Sequence, residues 1–94
     1  MKTIEGFRLR KLGDEYILVG ESMALINFNK MITFNGTAAF LWEQAENLTS
    51  AQGGFTAGDL CKALCKEYEV APETALSDVD ATLDSWRKAG IIAD

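Results

Sequence analysis

Two cysteines have a spacing that chemistry could use, since Cys61 and Cys65 stand four residues apart and would share one face of a helix. Such a pair could hold a metal ion or act as a redox couple. A zinc site takes about four ligands, however, and the sequence offers these two thiols and no histidine. A disulfide within one helical turn would also be strained. We therefore predict that both are small buried apolar residues.

Carboxylates form the second candidate group, and four of them lie close together near the end of the chain: Glu73, Asp78, Asp80 and Asp84. They could serve metal or acid–base chemistry if their side chains converged. On a helical wheel Glu73, Asp80 and Asp84 fall opposite Val79, which predicts a solvated acidic face. Asp78 differs, because it lies among short side chains and could accept a backbone N–H or pair with a cation there.

Catalytic motifs are absent from the sequence. It has no phosphate-binding glycine loop and no Gly-x-Ser-x-Gly elbow, and without histidine a serine or cysteine nucleophile lacks its commonest base. We expect no enzymatic activity, no cofactor and no metal. A small enzyme that uses Cys61 or Cys65 is the alternative, and loss of activity on alkylation of both thiols would favour it.

The length and net charge of the chain limit the number of domains and the kinds of partner that it can bind. A chain of 94 residues fits a single domain over residues 1–94. The formal charge of −5 argues against nucleic acid, because affinity for nucleic acid comes largely from Lys and Arg contacts to phosphate. No run approaches the roughly 20 apolar residues of a membrane span, and the first residues lack the pattern of a secretory signal. The sequence therefore predicts a cytoplasmic protein that binds neither nucleic acid nor membrane.

The first third of the chain has the pattern of β-hairpins. Residues 7–12 and 16–19 are strand-like runs around residues 13–15, and residues 25–28 and 31–34 flank Asn29-Lys30. Strand-like alternation then gives way to helical periodicity. We expect a small sheet followed by a helical unit.

Helical periodicity begins at residue 37 and predicts a first helix over residues 37–46. Its buried face is Ala38, Leu41, Trp42 and Ala45, at i, i+3, i+4 and i+7. Asn35 is the expected N-cap, because its side chain can accept from the free N–H groups of the first turn. Residues 49–54 are rich in Gly, Ser and Thr and are predicted to form a loop.

Two further helices follow this loop. Thr56 and Asp59 resemble a capping box, so the second helix starts there and is expected to end near Glu69. The third covers residues 72–89, with Pro72 at its first position and Gly90 as its C-terminal glycine.

The third helix has a predicted core face and, beside it, a stripe of short side chains. Its predicted core face consists of Leu76, Val79, Leu83 and Trp86. Ile91 and Ile92 follow as an apolar tail expected to fold back on the sheet or on the first helix.

A stripe of short side chains lies beside that core face: Ala75, Asp78, Thr82, Ser85 and Ala89. Short side chains leave a shallow trough in which an extended backbone could lie. Close packing of the third helix against the first is an equally good explanation of the stripe.

Helices joined by a tight turn after β-hairpins also resemble a winged helix-turn-helix, which would suggest DNA binding. The supposed recognition helix carries four acids against Arg87 and Lys88, and phosphate would repel it. The winged helix-turn-helix-like α+β architecture is retained, and the DNA-binding function is not.

Several segments together resemble the PqqD-like family, the recognition elements for ribosomally made, post-translationally modified peptides. They are EGFxLR at residues 5–10, EYI at 15–17, NFNKMITFNGTAAFLWE at 27–43, KEYEV at 66–70, AxxDV at 75–79 and LxxWxxAGII at 83–92. The longest is similar to the family's LNETGAxxW block. The sequence departs from the family pattern at Phe34, Gly36 and Ala71. Order and spacing carry the resemblance across nearly the whole chain.

This resemblance implies an N-terminal three-stranded antiparallel sheet followed by three helices. It also implies a noncatalytic module that captures the leader of a precursor peptide for a separate modifying enzyme, in this family often a radical S-adenosylmethionine protein. The leader would be added as a strand between the third strand and the third helix. The predicted contacts are Met31, Ile32, Thr33, Phe34, Ala75, Asp78, Thr82, Ser85 and Ala89. The alternative is a winged-helix regulator that binds DNA or protein, which gel-shift binding at low salt would favour.

Overall fold

The computed structural model describes residues 1–20 and 32–94. The first arm of the predicted second hairpin, its Asn29-Lys30 turn and Met31 lie outside the described residues. Its second arm is described from Ile32 onward.

A three-stranded antiparallel sheet opens the fold. Strands β2 (Phe7–Leu12), β3 (Glu15–Gly20) and β4 (Ile32–Phe34) follow the short strand β1 (Lys2–Thr3), and the sheet order is β2-β3-β4. Leu12 pairs with Glu15 across a two-residue turn in which Gly13 has a φ of 63°, a conformation that glycine adopts without strain. The first predicted hairpin is confirmed. Phe34 pairs with Tyr16, so β4 continues the sheet beyond β3.

Three helices follow the sheet: α1 (Gly36–Gln52), α2 (Ala57–Glu67) and α3 (Pro72–Ala89). The predicted α+β class, a winged helix-turn-helix-like arrangement of a three-stranded antiparallel sheet and then three helices, is confirmed. Within the described ranges, no helix is both long and apolar enough to cross a membrane.

The helix ends follow the predicted capping chemistry. The Asn35 side chain accepts a hydrogen bond of 2.8 Å from the Ala38 N–H. Thr56 and Asp59 form a reciprocal capping box, with bonds of 3.0 and 3.1 Å. Gly90 ends α3 in the left-handed conformation, at a φ of 76°. These local interactions set where each helix begins or ends.

The predicted loop at residues 49–54 is wrong for its first four residues, because α1 continues to Gln52. The Thr49 hydroxyl donates to the Ala45 carbonyl at 2.8 Å, so this residue is accommodated inside a helix. Gly53, at a φ of 84°, ends the helix and donates its N–H to the Thr49 carbonyl. Helix α2 stops at Glu67, slightly before the predicted end.

The core face of α3 is rotated from the predicted one. Val79, Leu83 and Trp86 are buried as expected, but Leu76 is 46% exposed and Ala75 is completely buried. Ala75, Val79 and Trp86 centre the buried arc, and Leu76 lies at its margin in the second helical turn. Ala75 and Leu76 are both apolar and both adjoin this arc, so the apolar pattern could not show which of the two is buried.

The apolar tail forms strand β5 (Ile92–Ala93), which pairs antiparallel with β1 in a separate two-stranded sheet. The Ile4 N–H donates to the Ile91 carbonyl at 3.1 Å, and Ile91 is fully buried. The tail was expected to return onto the three-stranded sheet or the first helix. It pairs instead with β1, whose Thr3 N–H donates to the Thr49 hydroxyl of α1.

Candidate functional site

A groove lies between strand β4 and helix α3, with a volume of about 270 Å³. We call it the groove throughout. Its lining is Ile32, Phe34, Ala38, Ala81, Thr82, Ser85, Trp86 and Ala89. It therefore joins the last strand of the sheet, the first turn of α1 and the C-terminal half of α3.

An aromatic cluster forms the base of the groove. The ring of Phe34 stacks on Trp86, with centroids 5.7 Å apart and planes at 27°. Trp42, which is fully buried, meets Trp86 edge to face at 5.3 Å. Such interlocked rings are worth roughly 0.5–1.5 kcal/mol per pair beyond their burial. The base of the groove is therefore held firmly to the core.

Short side chains keep the groove open on the α3 side. Ala81, Thr82, Ser85 and Ala89 present methyl and hydroxyl groups where longer side chains would fill the space against β4. None of the described lining residues is charged. The groove therefore suits an uncharged, mainly apolar segment, with two hydroxyls available for hydrogen bonds.

Strand β4 supplies an edge to this groove. Within residues 1–20 and 32–94, β4 pairs with β3 along one side and with no strand along the other. An edge strand presents backbone N–H and C=O groups that another extended segment can pair with. The chain thus places a pairing edge and an apolar wall next to each other.

Five of the predicted contact residues meet at the groove, namely Ile32, Phe34, Thr82, Ser85 and Ala89. Thr33 is exposed on β4, and its side chain is not part of the lining.

The other predicted contacts lie elsewhere. Asp78 is exposed, one helical turn before the lining begins on α3. Ala75 is completely buried in the core and does not line the groove. Met31 lies outside the described residues.

Sequence reasoning missed three lining residues: Ala38, Ala81 and Trp86. Ala81 had a usable signal, because it stands four residues before Ser85 and eight before Ala89 and is equally short. Trp86 was assigned wholly to the core, although a large ring can be buried on one side and still line a groove. Ala38 was assigned to the core face of the first helix and carried no separate signal.

The two cysteines lie on α2, outside the groove lining. Both thiols are unbridged and only half-buried, less than the predicted burial. Partial burial raises the pKa of the Cys61 thiol, and Cys65 and Asp80 act in the same direction. A raised pKa lowers the thiolate fraction on which nucleophilic chemistry depends.

Acidic residues do not converge on a metal site. The described residues contain no group of three or more Cys, Asp or Glu side chains that could hold an ion. Glu73, Asp80 and Asp84 are all exposed, as predicted, and Asp84 pairs with Lys88 at 3.0 Å. These carboxylates form a solvated surface.

A larger cavity of about 520 Å³ lies between α1 and the segment that runs from β1 to the first residue of β2. It is lined by residues 2–7 and by Glu46, Thr49 and Ser50 of α1. Burial raises the pKa of the Glu46 carboxyl, and Glu43 adds to the rise, while the Trp42 indole and Arg8 oppose it. The buried Trp42 N–H has no partner within hydrogen-bond geometry among the described residues.

Comparison with known proteins gives two matches. Residues 15–92 match the family model described as coenzyme PQQ synthesis protein D (PqqD). The solved structure of TbiB1 in complex with the TbiA(beta) leader peptide is similar over the whole of both chains, with a TM-score of 0.72 and 18% sequence identity. No curated protein sequence matches the chain significantly. At this identity the structural match concerns the fold.

Proposed function

We propose, because this chain belongs to the PqqD family, that it binds the leader segment of a ribosomally synthesised precursor peptide and presents that peptide to a modifying enzyme. The observation that carries the proposal is the groove, which sets the unpaired edge of β4 opposite the short side chains of α3. TbiB1, which has the same fold, binds a leader peptide. Residues 1–94 would act as a single peptide-recognition domain.

Binding would occur by strand addition. The leader pairs its backbone with β4 and becomes a fourth strand, so that main-chain hydrogen bonds supply affinity with little dependence on sequence. Thr33, between Ile32 and Phe34, belongs to this edge through its backbone. Met31, which precedes β4, remains a predicted contact.

Side chains of the leader would supply selectivity. In an extended segment alternate side chains point the same way, so every second residue of the leader would face the groove. The uncharged lining favours apolar residues at those positions. The hydroxyls of Thr82 and Ser85 can form hydrogen bonds with the backbone of the leader. Ala75 has no part in these contacts because it is buried.

The protein itself would perform no chemistry. Its role is to raise the effective concentration of the precursor near a separate enzyme, which for this family is often a radical S-adenosylmethionine protein. The groove lining offers a bound peptide no carboxyl, amine or imidazole that could act as an acid or a base, and Cys61, whose pKa is raised, lies outside that lining. We therefore propose a noncatalytic, cytoplasmic partner protein without a cofactor of its own.

The direct test is an NMR titration of ¹⁵N-labelled protein. The ligands are synthetic peptides that cover the first residues of short reading frames beside the gene. Binding should shift the amides of residues 32–34 and of residues 78–89 most strongly. If those amides stay still while another surface responds, the groove is not the binding site.

A pair of tryptophan variants makes the test specific. Ser85→Trp fills the groove and should weaken binding roughly tenfold or more, which corresponds to 1.4 kcal/mol of lost interaction. Asp84→Trp adds the same ring to the exposed face of α3 and should leave the affinity unchanged. Equal affinity for both variants would contradict the proposal. Tight binding of duplex DNA at low salt would favour the rival function, a winged-helix regulator.

A further inference from the structure

We propose that Asp78 is a specificity-determining residue, which pairs with a lysine or arginine side chain of the bound peptide just outside the groove. This inference rests on the function proposed above. It adds a charge requirement to a binding site whose described lining is uncharged.

Asp78 is placed to meet the peptide. It lies on the same face of α3 as Thr82, Ser85 and Ala89, at helical spacings of four, seven and eleven residues. At a rise of about 1.5 Å per residue, it stands roughly 4.5–6 Å along the helix axis from Ala81 and Thr82, where the lining begins. A lysine or arginine on the peptide can span that distance.

The carboxylate of Asp78 is available for such a pair. Over the described parts of the chain, the side chain of Asp78 has no ion pair and no hydrogen bond, and it is exposed. The acids nearest the other end of α3 are already engaged, since Asp84 lies 3.0 Å from Lys88 and Asp94 lies 3.6 Å from Arg87.

The two ends of the groove therefore differ in charge. At the Asp78 end a carboxylate that no described residue neutralises favours a cation and repels an acid. At the Ala89 end the nearby cations Lys88 and Arg87 are balanced by their own partners, and the helix C-terminus adds a weak negative potential. Neither end attracts an acidic side chain, and the Asp78 end selects a basic one.

Such a charge would fix the register of the peptide. Backbone pairing allows an extended segment to slide, and a run of similar apolar side chains does little to prevent it. A strand advances about 3.3 Å per residue, so the basic side chain would stand about two residues beyond the residue that packs at Thr82. Asp78 would then reject peptides whose apolar residues fit but whose charge is misplaced.

The experiment is an mRNA-display selection of random linear peptides on the folded protein. Three forms are used in parallel: wild type, Asp78→Lys, and the control Asp80→Lys, which makes the same charge change on the solvated face of α3. Wild type and the control should enrich lysine or arginine at one fixed position relative to an apolar pair. Asp78→Lys should enrich aspartate or glutamate at that position.

Measured affinities provide a second readout. Asp78→Asn should weaken binding of a wild-type-selected peptide about two- to fivefold, the range of a partly exposed ion pair. That difference should shrink as salt is raised, because a pair near the surface is screened.

The recovered peptides are also tested against Ser85→Trp, in which the groove is filled. This test distinguishes failure of the role of Asp78 from failure of the proposed function. Peptides that require an open groove but show no charge preference would overturn the role of Asp78 and leave peptide binding intact. If no recovered peptide depends on the groove, the proposed function fails, and the role of Asp78 fails with it.

Discussion

Gly54 is held against the first residue of the chain. A Cβ atom at this position would lie 2.7 Å from the Met1 carbonyl oxygen, closer than real Cβ contacts allow. That carbonyl accepts a hydrogen bond of 2.6 Å from the Phe55 N–H, so it cannot move without breaking a bond. The glycine is needed here because the backbone of another segment approaches it.

Gly54→Ala is therefore expected to destabilise the protein by about 1–3 kcal/mol, the usual cost of forced overpacking. Gly58→Ala is the matched control, since its Cβ would meet only Thr56 Oγ1 at 3.6 Å. Alanine is the better helix former, so the control should stabilise α2 by a few tenths to about 1 kcal/mol. Urea unfolding of both variants measures the difference. Equal stabilities would show that Met1 does not constrain Gly54.

Glu46 carries a carboxyl whose pKa is raised above its ordinary value of 4.5, chiefly by burial. The folded state therefore binds its proton more tightly than the unfolded state does. Above the folded pKa, the ionised carboxylate destabilises the fold relative to a neutral side chain. As the pH falls through the folded pKa, protonation removes that penalty.

Glu46→Gln should consequently be more stable than wild type at neutral pH. The advantage should shrink as the pH is lowered and vanish only below 4.5, where the carboxyl becomes protonated in the unfolded state as well. Urea unfolding at pH 7 and pH 4 tests the trend. In Glu43→Gln a carbon-detected titration should find the pKa of Glu46 lower, because repulsion between the two carboxylates is gone. A constant advantage at all pH values would contradict this account.

At the scale of the helix, α3 has a buried face and an exposed face, and we expect truncation of a side chain to destabilise the protein more on the buried face. Leu83 is 2% exposed and Leu76 is 46% exposed, although both are leucines of one helix. Leu83→Ala should cost about 2–5 kcal/mol, the range for a deleted core side chain. Leu76→Ala should stay within about 1 kcal/mol, because little burial is lost and alanine favours the helix. Thermal or urea unfolding distinguishes the two. A larger effect at Leu76 would place it in the core, as the apolar spacing predicts.

Elements with strong local chemistry could be predicted from the sequence. Asn35, the Thr56–Asp59 pair, Pro72 and Gly90 mark helix ends through interactions within a few residues, and all four assignments hold. The end of α1 could not be predicted, because residue composition says little about whether Thr49 will hydrogen bond inside a helix. Two-residue strands such as β1 and β5 have no periodicity, so only their tertiary pairing defines them.

The candidate site was predictable in outline for a similar reason. Short side chains at helical spacing identify one wall, and the strand before α1 identifies the other. Whether a short residue faces the groove or the core depends on the rotation of α3, which buries Ala75 and leaves Ser85 open. Only tertiary packing sets that rotation. The family resemblance predicted the position of the groove. Tertiary packing determines which side chains line it.

Across the whole molecule, the first and last strands join parts of the chain that are far apart in sequence. Strand β1 pairs with β5, its Thr3 N–H bonds to α1, and Met1 bonds to the segment between α1 and α2. Only Gly90 and Ile91 separate helix α3 from β5, so these contacts also hold the helix that forms one wall of the groove. The groove therefore depends on contacts made outside it.

Ile4→Pro tests this dependence, because proline removes the N–H that donates to the fully buried Ile91. Leaving that carbonyl without a partner should cost about 2 kcal/mol or more. Glu5→Pro is the control, since Glu5 precedes Gly6 in a turn, and the φ of 100° at Gly6 has the sign found after the favoured proline position of a type II turn. The control should remain within about 1 kcal/mol of wild type.

Hydrogen exchange should show faster opening of Ile91 and of the last turn of α3 in Ile4→Pro alone. Unchanged exchange there would mean that α3 holds its place without β1.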